Sequence, residues 1–250
     1  MVINIARKEL KSMFASPMGW IILGVMQLAI GSYFTLSFNQ YFEIINLQGQ
    51  LPMQIGMTQF MCEGIFDTAS VLLLFIIPLI SMRMISDELK NKTMTFLISA
   101  PISVTDIICG KFLALVIYNS ILIFVMVAMM LCLRVWVELD YGLMLLNATG
   151  IWLLMSALSA LGLFFSSQTQ YAVIAGFLTF LTSAFLILMD KWIGASNQLS
   201  LVSQLSIMHH YRNFSHGLLS SNALVFFTLF TAFFVLMAIH RLYINRMIGH

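Results

Sequence analysis

Few residues of this chain have the types or the spacing that covalent chemistry needs. A Walker-type phosphate loop requires glycines whose amides wrap the phosphates and a lysine followed by Ser or Thr. Here Gly110-Lys111 is followed by Phe112, and Thr105 stands where the upstream glycine would be. The chain is therefore expected to bind no cofactor and to hydrolyse no ATP alone. His-Glu-x-x-His is absent and no apolar run carries paired central aspartates, which excludes zinc and aspartyl intramembrane proteases. His209, His210 and His216 cluster, but without acid or cysteine partners at ligand spacing. They read as interfacial histidines on a short re-entrant element rather than as a metal site. The 19 methionines are dispersed through the apolar runs instead of forming Met-x-x-Met ladders, so they read as adaptable packing rather than copper ligands. Cys62, Cys109 and Cys132 fit no metal or redox spacing. Cys62 and Cys132 fall at the same outer level, where an oxidising compartment would permit a disulfide, although lone membrane cysteines are mostly packing residues. What remains is charge. Ser81 to Lys111 holds Arg83, Asp87, Glu88, Lys90, Lys92, Asp106 and Lys111 between two long apolar runs, and its chemistry is ion pairing.

Those charges must be positioned by apolar elements. With 60% hydrophobic and 9% charged residues and a mean hydropathy of +0.96, the chain cannot bury its apolar surface in one soluble core. It is expected to be an all-α polytopic membrane protein with no separate soluble domain and, at a net charge of +2, no nucleic-acid partner. Apolar runs predict six spans, at 18–38, 65–81, 112–133, 143–165, 171–189 and 222–239. Residues 1–16 set Ile3, Leu10, Met13 and Phe14 against Arg7, Lys8, Glu9 and Lys11, the pattern of an amphipathic interfacial helix. The run from Met18 to Phe38 lacks a small-x-small cleavage site and reads as an uncleaved first span. Pro17 marks a bend into it, and Pro78 a kink near the end of the second span. Asn39 to Gly64 reads as an outer loop. Residues 190–221 form an outer segment in which Leu199, Val202, Leu205 and Met208 keep helical spacing, as short outer helices or an amphipathic surface loop. Ala172-x-x-x-Gly176 is a spacing that lets a neighbouring helix approach. Nine of the twelve Lys and Arg lie on the side of the termini and the charged island, which places that side in the cytoplasm. No span carries a charge near its middle, which disfavours an ion-coupled carrier.

Within the island, a first helix is predicted from Ser86 to Ile98, with Ser86 as N-cap and Asp87 and Glu88 in the first turn. Glu88 and Lys92 are spaced for an i,i+4 pair worth about 0.2–0.5 kcal/mol. Ala100-Pro101 breaks the helix. Ser103-Val104-Thr105-Asp106 then reads as a capping-box variant opening a helix that runs past Lys111 into the third span. Periodicity alone leaves a solvated loop between spans as an equal alternative.

The stretch Ile85-Ser86-Asp87-Glu88-Leu89-Lys90-Asn91-Lys92-Thr93-Met94-Thr95-Phe96-Leu97-Ile98-Ser99-Ala100-Pro101-Ile102-Ser103, followed by Gly110-Lys111-Phe112, resembles the cytoplasmic coupling segment of type-2 ABC exporter permeases. Arg7-Lys8-Glu9-Leu10 with Phe14 and Ser16-Pro17 is similar to the start of the same proteins, in particular gliding-motility-associated and NosY-like permeases, and Ser203 to Leu218 is similar to their late outer segment. The family pattern commonly has glycine and glutamate where this chain has Lys92 and Thr95.

The resemblance implies a coupling segment over 83–111, with ATPase-coupling residues at Asp87, Glu88, Lys90, Lys92, Thr93, Thr95, Phe96 and Pro101. It implies two cytoplasmic ABC ATPase subunits that bind the ATP, a second copy or a related permease, and room for an accessory protein on the outer side. The expected function is the permease subunit of an ATP-driven exporter in the bacterial inner membrane, with both termini cytoplasmic. The competing expectation is a non-transporting scaffold or mechanotransmission component built on the same architecture.

Overall fold

The computed structural model describes residues 1–47, 56–93, 103–135, 139–193, 206–215, 217 and 220–248. Nine α-helices follow one another among them: α1 (Val2–Ala15), α2 (Pro17–Leu47), α3 (Met57–Ser81), α4 (Arg83–Lys90), α5 (Val104–Leu131), α6 (Tyr141–Gln168), α7 (Ala172–Ile193), α8 (Ile207–Ser215) and α9 (Ser221–Ile248). A 3-10 turn, Cys132–Val135, ends α5. No strand occurs among the described residues. Five helices, α2, α3, α5, α6 and α9, are long and apolar enough to cross a membrane, and α7 contributes a shorter apolar stretch, Ala172–Leu188.

Local chemistry sets most boundaries. Ser16 ends α1 in the extended conformation that a following proline favours, and Pro17 opens α2, where a missing N–H is harmless. Ser103 caps α5, its hydroxyl accepting from the Asp106 amide at 3.0 Å, as the sequence signals. Asp140 caps α6 by accepting from the amides of Gly142 and Leu143. The segment from Asn39 to Gly64, expected as an outer loop, is largely helical: α2 runs on to Leu47 and α3 starts at Met57. Polar residues there do not stop a helix. Met57, Met61 and Cys62 are buried in the bundle, and their packing carries α3 beyond the apolar run.

The bundle is organised around α6, which packs on α3, α4, α5, α7, α8 and α9. Its second half, from Ser156 to Leu163, is buried on every side. Small residues make this possible, because without a hydrophobic drive between helices in lipid, close backbone approach supplies the contact. A Cβ at Gly162 would overlap the Ser81 side chain, and one at Gly150 would lie 2.6 Å from Phe214 Cβ. Polar bonds pin the same helix: Asn119 donates to Ser159 Oγ at 2.9 Å, and the Trp152 indole to Ser120 Oγ at 2.9 Å.

At the N-terminal end of α6, α8 is tucked against it, and Asn147 donates to the Ser215 carbonyl at 3.4 Å. Burial pushes the Tyr211 phenol well above its usual range. His210 stacks on Phe226 with centroids 4.3 Å apart, while His209 is exposed and His216 lies outside the described residues. Leu199, Val202 and Leu205 also lie outside them. Cys62, Cys109 and Cys132 are free thiols.

Candidate functional site

The charged island does not form one long helix. α4 covers Arg83 to Lys90, and Asn91 closes it. Lys92 follows with φ of 56°, in the left-handed region where glycine is normal and lysine is strained. Its amide donates to the Leu89 carbonyl at 3.3 Å, and the Thr93 hydroxyl donates to the Glu88 carbonyl at 3.4 Å. This is a Schellman-like stop in which a side chain replaces one backbone donor. It falls at the position where the resembled pattern carries glycine. The expected helix from Ser86 to Ile98 is thus interrupted at Asn91 and Lys92. Thr95, Phe96 and Pro101 lie outside the described residues.

Ser86 is not an N-cap. It sits inside α4, fully buried, and the cap comes from another helix. The amides of Ile85 and Ser86 both donate to Ser166 Oγ at 3.0 Å, Ser166 Oγ donates to the Met82 carbonyl at 2.9 Å, and Ser86 Oγ donates to the Ser166 carbonyl at 3.0 Å. The last turn of α6 therefore satisfies the free amides at the start of α4. Gly176 of α7 closes on the same joint: a Cβ there would lie 2.9 Å from Met82 Sδ.

Glu88 does not pair with Lys92. It turns inward to Lys111, whose side chain is only 1% exposed. The Lys111 ammonium donates to Glu88 Oε1 at 2.8 Å, the Met84 carbonyl at 2.7 Å and Glu9 Oε1 at 3.1 Å. An ammonium has three protons, and all three are used. The acceptors come from α4 and α1, and the donor from α5. Neighbouring Gly110 lets α1 come this close, because a Cβ there would stand 2.8 Å from Ile5 Cβ and 3.0 Å from the Val2 carbonyl. Gly110-Lys111 thus works as a joint: the glycine admits α1 and the lysine ties it to α4.

The other expected residues divide by face. Met84, Ile85 and Ser86 point into the bundle, whereas Arg83, Asp87, Lys90, Lys92 and Thr93 are exposed. On α1, Arg7, Lys8 and Lys11 are exposed, while Glu9 is largely covered; Leu10, Met13 and Phe14 pack against the core and Ile3 stays exposed. The arrangement holds no group set for bond making or breaking. It is a short helix anchored on one face to three other elements, with a charged face left outward.

An all-helical bundle with several membrane-length apolar helices defines a multi-pass membrane protein. The family model for ABC-2 family transporter protein matches residues 3–244, and the chain belongs to that family. It is a membrane component of an ABC transporter, a transport part that is not itself catalytic, and membership implies an ABC ATPase partner. No curated protein matches the chain.

Proposed function

We propose that this chain is the permease subunit of an ATP-driven exporter of the gliding-motility and NosY-like kind, and that α4 with the segment after it is the coupling element. The observation that carries this reading is the anchoring of α4. Its inner face is bonded to α6 through Ser166 and to α5 and α1 through Lys111, and its outer face offers free charge. A load on Asp87, Lys90, Lys92 or Thr93 passes to two long helices without crossing a flexible loop. ATP binds to two partner subunits, and this chain holds no cofactor. Thr95, Phe96 and Pro101 extend the docking segment beyond Thr93.

With α7 counted as a crossing, there are six spans and both termini lie on one side. The excess of Lys and Arg on that side supports its being cytoplasmic, with the bundle in the inner membrane. The working unit is two copies, or one copy with a related permease, with the outer segment open to an accessory protein. The test is co-purification with the ATPase. Lys90→Glu with Lys92→Glu, both exposed, should weaken capture at least tenfold while leaving membrane insertion unchanged. Capture at the wild-type level would remove α4 from the coupling role. ATP-dependent cargo movement in vesicles separates the exporter from the scaffold alternative.

A further inference from the structure

Between the α1–α2 elbow and the α3–α4 joint lies a cleft of about 380 Å³. This falls within the range of small-molecule sites. Lys111 and Tyr118 form its buried floor, the phenol donating to the Gly19 carbonyl at 2.7 Å. Met18, Ile22, Leu79 and Ile80 make one side apolar, and Lys8, Arg83, Asp87 and Glu88 make the other charged.

The charges at the mouth are only partly paired. Lys8 lies 3.5 Å from Glu9, but neither the Arg83 guanidinium nor the Asp87 carboxylate forms an ion pair among the described residues. They stand one helical turn apart on the exposed face of α4. Deeper in, Glu88 Oε1 is held by Lys111, whereas Glu88 Oε2 is buried with no hydrogen-bond partner. The cleft therefore presents a cation, Arg83, at its rim and an anion, Asp87, beside it, with the Glu88 carboxylate covered behind them. Its depth in the membrane is marked by Trp20, whose ring is exposed while its N–H reaches the Phe14 carbonyl at 2.9 Å, as tryptophans at the headgroup level do. Ile21 and Leu79 carry the apolar side out to the lipid-facing surface.

The geometry points to a phospholipid bound in this cleft, an aminophospholipid of the phosphatidylethanolamine type. Its phosphate meets Arg83 and Lys8. Its ammonium, two carbons away, donates to the exposed Asp87 carboxylate, with the Glu88 charge behind it, and its chains leave along Ile22 and Leu79. A trimethylated headgroup has no N–H to give, so the Asp87 carboxylate discriminates against phosphatidylcholine. The proposal rests on the reading of α1 as an interfacial helix, and it leaves Lys90, Lys92 and Thr93, but not Asp87, for the ATPase.

Native mass spectrometry of the detergent-purified full chain, titrated with phosphatidylethanolamine or phosphatidylcholine of matched chains, tests it. The wild type should favour the amine about tenfold, the scale of one charge-assisted hydrogen bond. Arg83→Gln should weaken both lipids, and Asp87→Asn should bring the two headgroups within about twofold; both positions are exposed, so the fold is kept. Equal retention of both lipids by the wild type, retention of neither, or displacement of the bound lipid by the purified ATPase would each overturn the assignment; the last would make the cleft a partner's seat. Failure of ATPase capture with the amine preference intact would instead count against the proposed function alone.

Discussion

Replacing Lys111 with methionine keeps the length of the side chain and removes its charge. The variant leaves two carboxylates and the Met84 carbonyl facing a site that is 1% exposed at its centre. Removing one partner of a buried pair costs about 3–5 kcal/mol, mainly the penalty of the charge left behind. Glu9 and Glu88 keep 14% and 15% exposure, so some water reaches them and the lower end, about 3 kcal/mol, is expected. Reversible unfolding in mixed micelles measures it. The decisive comparison is the triple variant Lys111→Met, Glu9→Gln, Glu88→Gln. Neutralising the orphaned acids should recover more than half of the loss, since replacing a whole buried network is often close to neutral. A single-variant loss below about 1 kcal/mol, the scale of a surface ion pair, would refute the buried node. So would a triple variant no better than the single one.

Gly110→Ala should loosen α1 without unfolding the bundle, because its Cβ meets the Val2 backbone carbonyl as well as Ile5; the overpacking cost is about 1–3 kcal/mol, seen as faster proteolysis between α1 and α2. Ser166→Ala strips the cap from two amides and should speed hydrogen exchange at Ile85 and Ser86 by about tenfold or more; unchanged exchange would mean that α4 is held by other contacts. Lys92→Gly should raise stability by up to about 1 kcal/mol by relieving the left-handed backbone, while Lys92→Ala should not; equal effects would mean that the side chain, not φ, matters.

The elements that follow from short-range patterns were legible in the sequence. Apolar runs located the long helices, and Ser103 and Asp106 located the start of α5. The sequence also carried Gly110-Lys111 as a motif, but not its purpose. Lys111 binds Glu88 at a separation of 23 residues and Glu9 at 102, and Ser166 caps α4 from 80 residues away. Local rules offered nearer partners, Lys92 for Glu88 and Ser86 for the cap. They lost because an exposed i,i+4 pair gains a few tenths of a kcal/mol, whereas an unsatisfied buried amide or ammonium forfeits several times that. One local clue was available: Lys111 is a lone charge in the stretch from Ile107 to Ile117, and such a residue needs a partner.

The position of α6 has a consequence for biosynthesis. This helix is less apolar than α5 or α9, and it is also the most enclosed of the membrane-length helices. Its serines, Asn147, Gly150 and Gly162 face protein, yet α7, α8 and α9 are all made after it. A nascent chain halted before Ser221 would leave the side that packs on α9 open to lipid, with little apolar surface to hold it there. Such intermediates are natural clients for insertion chaperones and membrane proteases, and truncations ahead of α9 should be degraded rather than accumulate as partial bundles.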